Sequence, residues 1–140
     1  MELTDALAFA RPRTQGVLAT IRATGRPQLS NILYSLGQDD VFRISVTDGR
    51  AKTANLRRDN RASLYVLGDS FWQYIVLEGS VDITPVAAAP DDKTVDQLVE
   101  LYRTLQGKEH PDWDEYRAAM VNDRRVVLAL RPERAYGMTA

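Results

Sequence analysis

Apolar and polar residues alternate with a period of two over several short stretches of the chain, which is the pattern of β-strands. The first stretch begins at Gln15, where Val17, Ala19 and Ile21 alternate with their neighbours. The other predicted strands cover residues 28–36, 41–47, 61–67, 72–84 and 124–130, the last of them resuming after Pro132 through Tyr136. The links between the first three strands are short, so we expect a β-meander with antiparallel pairing.

A second pattern, with apolar residues three and four positions apart, predicts helices beside these strands. A short helix is expected over residues 3–10 and another over 50–58, one begins after the capping residues 90–92, and one begins at Pro111-Asp112. Gly79 lies inside a predicted strand, where it indicates a bulge or bend. Six short strands with two or three helices at the margins predict a mainly β (α+β) fold, a small antiparallel barrel. The interior of so small a barrel is filled by side chains, so a ligand would lie outside it or between subunits.

Length and composition narrow the possibilities further. The 140 residues are expected to form one domain, 1–140. The chain has no cysteine and one histidine, which excludes disulfides, thiolate metal sites and sites with several histidines, so we expect no metal. No apolar run approaches ~18 residues, and the N-terminus lacks the basic and apolar regions of a signal peptide, so we expect a cytoplasmic protein without a membrane contact. The net charge of −1 argues against a nucleic-acid partner.

The most informative chemistry lies between residues 50 and 61. This segment holds five cations and one acid, and it begins a helix directly after a strand. Arg50, Lys52 and Thr53 fall on the first turn, where unpaired backbone N–H groups and the positive end of the helix dipole attract anions. The segment therefore predicts a site for a phosphate or a polycarboxylate tail. A solvated basic helix with intrahelical ion pairs explains the same spacing about equally well.

Two further groups of residues are weaker candidates. Gln28, Ser30 and Asn31 introduce polar side chains into a strand that needs none for packing. Trp72 and Tyr74, placed on one face of a strand, can stack on a flat ligand or belong to the core, and the sequence favours the core. His110 lies in a polar link between two helices, and we expect no functional role for it.

Taken in order, these segments resemble a known family. The segments are GVLATIRATGRPQLSNILY, RAKTANLRRDNRASL, EGSVDITP, PDDKTVDQLVELYR, DWDEYRAAMVNDRRVVLAL and a closing AYG. They resemble the split β-barrel flavin and deazaflavin oxidoreductases of the pyridoxine 5′-phosphate oxidase-like superfamily, and most of all its actinobacterial B-type group, which uses coenzyme F420. The resemblance runs from about residue 16 to 137 and implies a split barrel of six to seven antiparallel strands with flanking helices.

The resemblance also implies a homodimer with two cofactor sites at the subunit interface. Carried over by motif, four residues would hold the cofactor phosphate and the start of its tail: Arg50, Lys52, Thr53 and Asn55. Gln28, Ser30 and Asn31 would lie along the ring system, with Ser45 as a further ring neighbour. Trp72 and Tyr74 match aromatic positions that the partner subunit can supply. The substrate pocket of the family varies, so no catalytic residue is assigned.

Three functions remain open from the sequence. The first is an F420-dependent oxidoreductase that transfers a hydride from the reduced deazaflavin to a conjugated small-molecule acceptor such as an enone, a quinone or a tetrapyrrole. The second is an FMN-dependent oxidase or reductase of the same fold. The third is a non-catalytic binding protein, either a store for F420 or a barrel that binds single-stranded nucleic acid, which the near-neutral charge disfavours.

Overall fold

The computed structural model describes residues 1–140 and contains one sheet of seven antiparallel strands with four flanking helices. The strands are β1 Gln15–Ile21, β2 Pro27–Leu33, β3 Ser35–Leu36, β4 Phe42–Thr47, β5 Arg61–Leu67, β6 Tyr74–Ile83 and β7 Arg125–Met138. The helices are α1 Leu3–Ala10, α2 Ala51–Arg58, α3 Lys93–Gln106 and α4 Trp113–Asn122. The order across the sheet is β2-β1-β5-β6-β7-β4-β3, so the two outermost strands are consecutive in the chain.

Tyr34 separates these two outermost strands and explains how the sheet curls. The sequence predicts one strand over residues 28–36, but the structure divides it at Tyr34, whose side chain has no exposed surface. Its hydroxyl donates to the carbonyl of Ala10 over 2.8 Å, and burial raises the pKa of the phenol. β2 thus pairs with β1 at one edge of the sheet, and β3 pairs with β4 at the other. Because β2 and β3 follow each other in the chain, the two edges come together and form a split barrel.

The predicted meander is therefore wrong in one pairing. β1 and β2 form the expected hairpin, in register from Gln15 with Leu33 to Ile21 with Pro27. However, β4 pairs with β7 over its whole length and with β3 only at Ser35–Leu36, so β2 has a hydrogen-bonded neighbour on one side only. Short links favour antiparallel neighbours, and here the division at Tyr34 limits that pairing to the two residues of β3.

Apolar side chains fill the interior of the barrel. Nineteen buried residues form one cluster, with Leu18, Phe42 and Leu64 among its fully buried members. A smaller cluster of six joins α3 and α4 to the outside of β7. The predicted irregularity at Gly79 is confirmed as a register shift between Glu78 and Gly79, where a Cβ atom would lie 2.0 Å from the carbonyl oxygen of Arg131. The bend lets β7 continue past Pro132 as one strand.

The helices begin close to their predicted positions. Asp92 caps α3 by accepting from the amide of Val95 over 2.8 Å, and Asp112 caps α4 by accepting from the amide of Glu115 over 3.1 Å. None of the four helices combines the length and the apolar character needed to cross a membrane.

Candidate functional site

A cleft of about 340 Å³ lies where the free edge of β2 faces β4. Because β2 is an edge strand, alternate backbone N–H and C=O groups along it have no partner in the sheet. The remaining walls come from the start of α2, the end of α3 and the start of β7. The polar side chains in the lining are Asn31, Ser45, Thr47, Arg50, Lys52 and Arg125. No carboxylate contributes to the lining, so three cations share this cleft with no acid.

The start of α2 is positioned by Thr47, the last residue of β4. Its carbonyl accepts from the amide of Arg50 over 3.3 Å and from the hydroxyl of Thr53 over 3.0 Å. Arg50 occupies the N-cap position, and no side chain caps the helix. The first turn of α2 contains no acidic residue either, so neither a cap nor a first-turn carboxylate compensates the positive end of the helix. Arg50 and Lys52 add two charges of the same sign there.

The pKa of Lys52 reflects this arrangement of positive charges. Burial lowers the pKa of its ammonium group, and the nearby Arg50 guanidinium lowers that pKa further. An ion pair with a carboxylate would act in the opposite direction. Neither cation takes part in an ion pair within the chain, although eleven of the fifteen arginines do. The cleft therefore holds two cations whose charge no carboxylate of the chain pairs with.

Arg125 is the third cation of the cleft, and the sequence analysis did not find it. It is the first residue of β7 and lies opposite Thr47 of β4. One of its terminal nitrogens approaches Ser45 Oγ at 3.4 Å, while its Nε is buried without a hydrogen-bond acceptor. Only the pairing of β4 with β7 brings it to the cleft, since Arg125 is far from the basic helix in sequence.

Besides the two aromatic residues, four of the predicted site residues do not line the cleft: Gln28, Ser30, Thr53 and Asn55. Asn55 lies on the buried face of α2 and donates to Gln28 Oε1 over 2.7 Å and to Thr20 Oγ1 over 3.2 Å. Thr53 has no exposed surface, and Ser30 has a buried hydroxyl without a partner. Asn55 and Gln28 fasten α2 to the β1–β2 hairpin. Of the predicted set, the cleft brings together Asn31, Ser45, Arg50 and Lys52.

An apolar groove of about 470 Å³ adjoins the cleft on the outer face of the hairpin. Asn31 and Leu33 border both the groove and the cleft, and Tyr65 and Leu67 of β5 continue the groove. Tyr74 stacks on Tyr65 with ring centroids 5.6 Å apart, which places it beside the groove. A flat apolar surface therefore lies directly next to a cationic one.

Trp72 occupies a different environment from the one predicted. β6 begins at Tyr74, so Trp72 lies in the turn before the strand, and the expectation of a shared strand face is wrong. The side chain is 73% exposed and contacts Phe71, itself 73% exposed, so it does not belong to the core either. The backbone N–H of Gly68 donates to the carbonyl of Gln73 and closes this turn. The pairing of β5 with β6 therefore ends at Leu67 and Tyr74.

His110 belongs to a cluster of aromatic rings at the junction of α3 and α4. Its ring lies 5.1 Å from Tyr102, 5.6 Å from Trp113 and 5.4 Å from Tyr116. Its Nδ1 accepts from the amide of Asp112 over 2.9 Å, so the ring helps to fix the start of α4. No group of three or more potential metal ligands occurs in the structure.

Comparison with known proteins gives the same architecture. A sequence model of the family described as pyridoxamine 5′-phosphate oxidase matches residues 4–139. A conserved hypothetical protein of Mycobacterium tuberculosis, Rv2991, superposes with a TM-score of 0.76 at 22% identity, over 99% of this chain and 85% of that one. A structure described as an F420 reductase gives 0.66 at 25% identity, over 91% and 92%. HutZ, the heme storage protein of Vibrio cholerae, gives 0.69 at 14% identity, over 96% and 93%.

Proposed function

Because the chain belongs to the pyridoxamine 5′-phosphate oxidase family, we propose that it is an oxidoreductase of the actinobacterial B-type group that uses coenzyme F420. In this proposal it transfers a hydride from the reduced deazaflavin to a conjugated acceptor. The similarity to an F420 reductase at 25% identity favours F420 among the cofactors of flavin type.

One observation carries the proposal: a cleft with three cations and no acid opens next to an apolar groove, and the two share Asn31, Ile32 and Leu33. A cofactor with a flat ring and a phosphorylated side chain needs these two surfaces side by side. Arg50 and Lys52 would hold the phosphate at the positive end of α2. Thr53 and Asn55, which are buried, would act by holding that helix in place, while Gln28 and Ser30 support the strand from its inner face.

The ring would lie along β2. The unpaired backbone groups of this edge strand, with Asn31 and Ser45, supply directional hydrogen bonds, and the apolar groove excludes water from the ring. When bound, the deazaflavin supplies a hydride from its reactive carbon. The chain's part is then to place the acceptor against that position, which is an effect of proximity and orientation. No carboxylate or histidine lines the cleft, so the accompanying proton would come from solvent or from a tyrosine.

The proposal includes a homodimer in which each cofactor site lies at the interface. The outer face of the sheet exposes large apolar side chains, including Leu29 at 66%, Leu67 at 48% and Met138 at 54%. Single exposed apolar residues are common on proteins, but a set on one face, joined by Phe71 and Trp72, is typical of an interaction surface. Light scattering should give a mass near twice the 15.7 kDa of the chain. A monomer that binds cofactor fully would contradict an interfacial site.

Isotope transfer tests the catalytic half of the proposal. Reduced F420 that carries deuterium at its reactive carbon is mixed with the protein and a panel of enones, quinones and tetrapyrroles. We expect deuterium in the product, a rate above that of the cofactor alone, and slow reaction with oxygen. The Lys52→Ala variant should lose this rate at limiting cofactor, whereas Lys93→Ala, which removes an exposed lysine outside the cleft, should keep it.

Two other results would each identify a different function. Tight binding of F420 without turnover on any acceptor would indicate a store, a role that the heme storage protein shows to be compatible with this fold. Binding of FMN in preference to F420, followed by rapid reaction with oxygen, would indicate an FMN-dependent oxidase.

A further inference from the structure

We infer that Arg125 binds a second anionic group of the ligand, a carboxylate beyond the phosphate, and thereby makes the site selective for a cofactor with an acidic tail over FMN. This inference rests on the proposed function, because it concerns the same cleft. Neither the sequence motifs nor the family resemblance assigns a role to Arg125.

The environment of Arg125 differs from that of most paired arginines, and the two others with contacts longer than 3.3 Å, Arg124 and Arg134, have side chains that are 67% exposed. Arg11, Arg43 and Arg131, for example, meet a carboxylate at 2.7–2.8 Å. The nearest carboxylate oxygen to Arg125, on Asp123, lies 3.8 Å from its Nε, which is too far for a hydrogen bond. The 3.4 Å contact with Ser45 Oγ is long as well. The side chain is nevertheless only 31% exposed, and its Nε is fully buried.

Such an arrangement is costly unless a ligand completes it. A donor that is buried without an acceptor destabilises the folded chain, and a charged donor does so more strongly than a neutral one. The planar guanidinium can donate two parallel hydrogen bonds to one carboxylate, and in this chain no carboxylate is in position to accept them. A carboxylate of the ligand would fit the geometry and the charge.

The three cations of the cleft belong to two different elements. Arg50 and Lys52 lie together on the first turn of α2, whereas Arg125 lies on β7 beside Thr47. A phosphate at the helix start already has two cations and the helix dipole. FMN ends at its phosphate, whereas the phosphate of F420 is a diester that continues into a tail of carboxylates. When the start of α2 binds the phosphate, only F420 has a further anionic group that Arg125 can bind.

The test compares two ligands that differ only beyond the phosphate. Fluorescence titration would measure the binding of F420 with its full tail and of the same deazaflavin ended at its 5′-phosphate. Arg125→Met keeps most of the apolar stem and removes the charge. Arg131→Met is the matched control, since Arg131 lies on the same strand, pairs with Asp82 and is outside the cleft. Arg125→Lys retains the charge without the planar fork.

We expect Arg125→Met to weaken the binding of tailed F420 roughly tenfold or more, as for other hydrogen bonds to charged groups, and to change the phosphate-terminated ligand by much less. Arg125→Lys should recover part of the loss, and Arg131→Met should have no effect on either ligand. Equal losses for both ligands would overturn the inference and place Arg125 on the phosphate, and no loss would also overturn it. If the unsubstituted protein binds neither ligand, the proposed function itself fails. Urea unfolding of each variant verifies the fold, and Arg125→Lys decides the question if the methionine variant does not fold.

Discussion

The N-termini of α2 and α3 differ in how the chain compensates the unpaired amides and the positive end of the helix dipole. Asp92 caps α3, its carboxylate accepting from the amides of Val95, Ala88 and Ala89, and Asp96 adds a negative charge in the first turn. α2 starts with Arg50 at the N-cap position and Lys52 in the first turn, with no cap and no acid. The first arrangement stabilises a helix, and the second opposes the helix dipole.

The sequence at the start of α3 stabilises the helix, whereas the sequence at the start of α2 fits the proposed binding of an anion. α3 and α4 complete their own N-terminal hydrogen bonds with aspartate, and they pack against the outside of the barrel. In the proposed function, the first turn of α2, next to the free edge of β2, receives an anion from outside. A local departure from the rules of helix capping is expected at a binding site, since the ligand supplies the missing interactions.

The largest expected effect comes from removing a cation at the start of α2. Lys52→Ala should weaken the binding of F420 by about 1.5–3 kcal/mol, the range for hydrogen bonds to charged groups. The stability of the ligand-free protein should change little, because Lys52 has no ion-pair partner to lose. Isothermal titration calorimetry measures the first quantity and urea unfolding the second. Lys93→Ala, in the first turn of α3, is the matched control, and an equal loss of binding in that variant would mean that net charge alone attracts the ligand.

Removing the cap of α3 should have the reverse consequences. Asp92→Ala should cost about 0.5–2 kcal/mol of unfolding free energy, near the upper end because three amides lose their acceptor. Binding of F420 should remain as in the unsubstituted protein, since α3 reaches the cleft only at Leu105. Urea unfolding and titration of the same sample check both parts. A loss of affinity without a loss of stability would remove the contrast between the two helices.

The pH dependence of binding should follow Lys52. Burial and Arg50 lower the pKa of this ammonium group, and a bound phosphate favours its charged form. Affinity should therefore be greatest below this pKa and should fall as the pH rises through it, before the usual lysine value of 10.5. The ligand-free protein should gain stability over the same interval, because the unfolded chain then binds more protons than the folded one. Lys52→Arg should bind F420 with no such fall, and a fall that persists in this variant would have to come from another group.

Local patterns in the sequence predicted much of the fold. The alternation in β1, the caps at Asp92 and Asp112 and the bend at Gly79 depend on neighbouring residues, and the structure confirms all of them. The division of the predicted strand at Tyr34 depends on a hydrogen bond to Ala10, twenty-four positions away, which no local pattern contains.

Local patterns in the sequence also predicted part of the candidate site. Arg50 and Lys52 stand out because basic residues at a helix start break a local rule. Arg125 looked like the start of a strand, and only the register of β4 with β7 places it at the cleft. The sequence predicts a strand from Trp72 onward, but the turn around residues 68–73 ends the pairing of β5 with β6 at Tyr74.

The most direct test of the contrast between the helix starts is to give α2 the cap that α3 has. The N-cap backbone of Arg50 is already extended, with φ −74° and ψ 150°, so Arg50→Asp can accept from the first-turn amides without strain. Urea unfolding of the ligand-free variant and titration of the same sample with F420 would be measured against the unsubstituted protein. We expect the unfolding free energy to rise by about 1 kcal/mol while the affinity falls at least tenfold. Unchanged affinity, or a loss of stability and affinity together, would contradict the conclusion that α2 begins with cations in order to bind an anion.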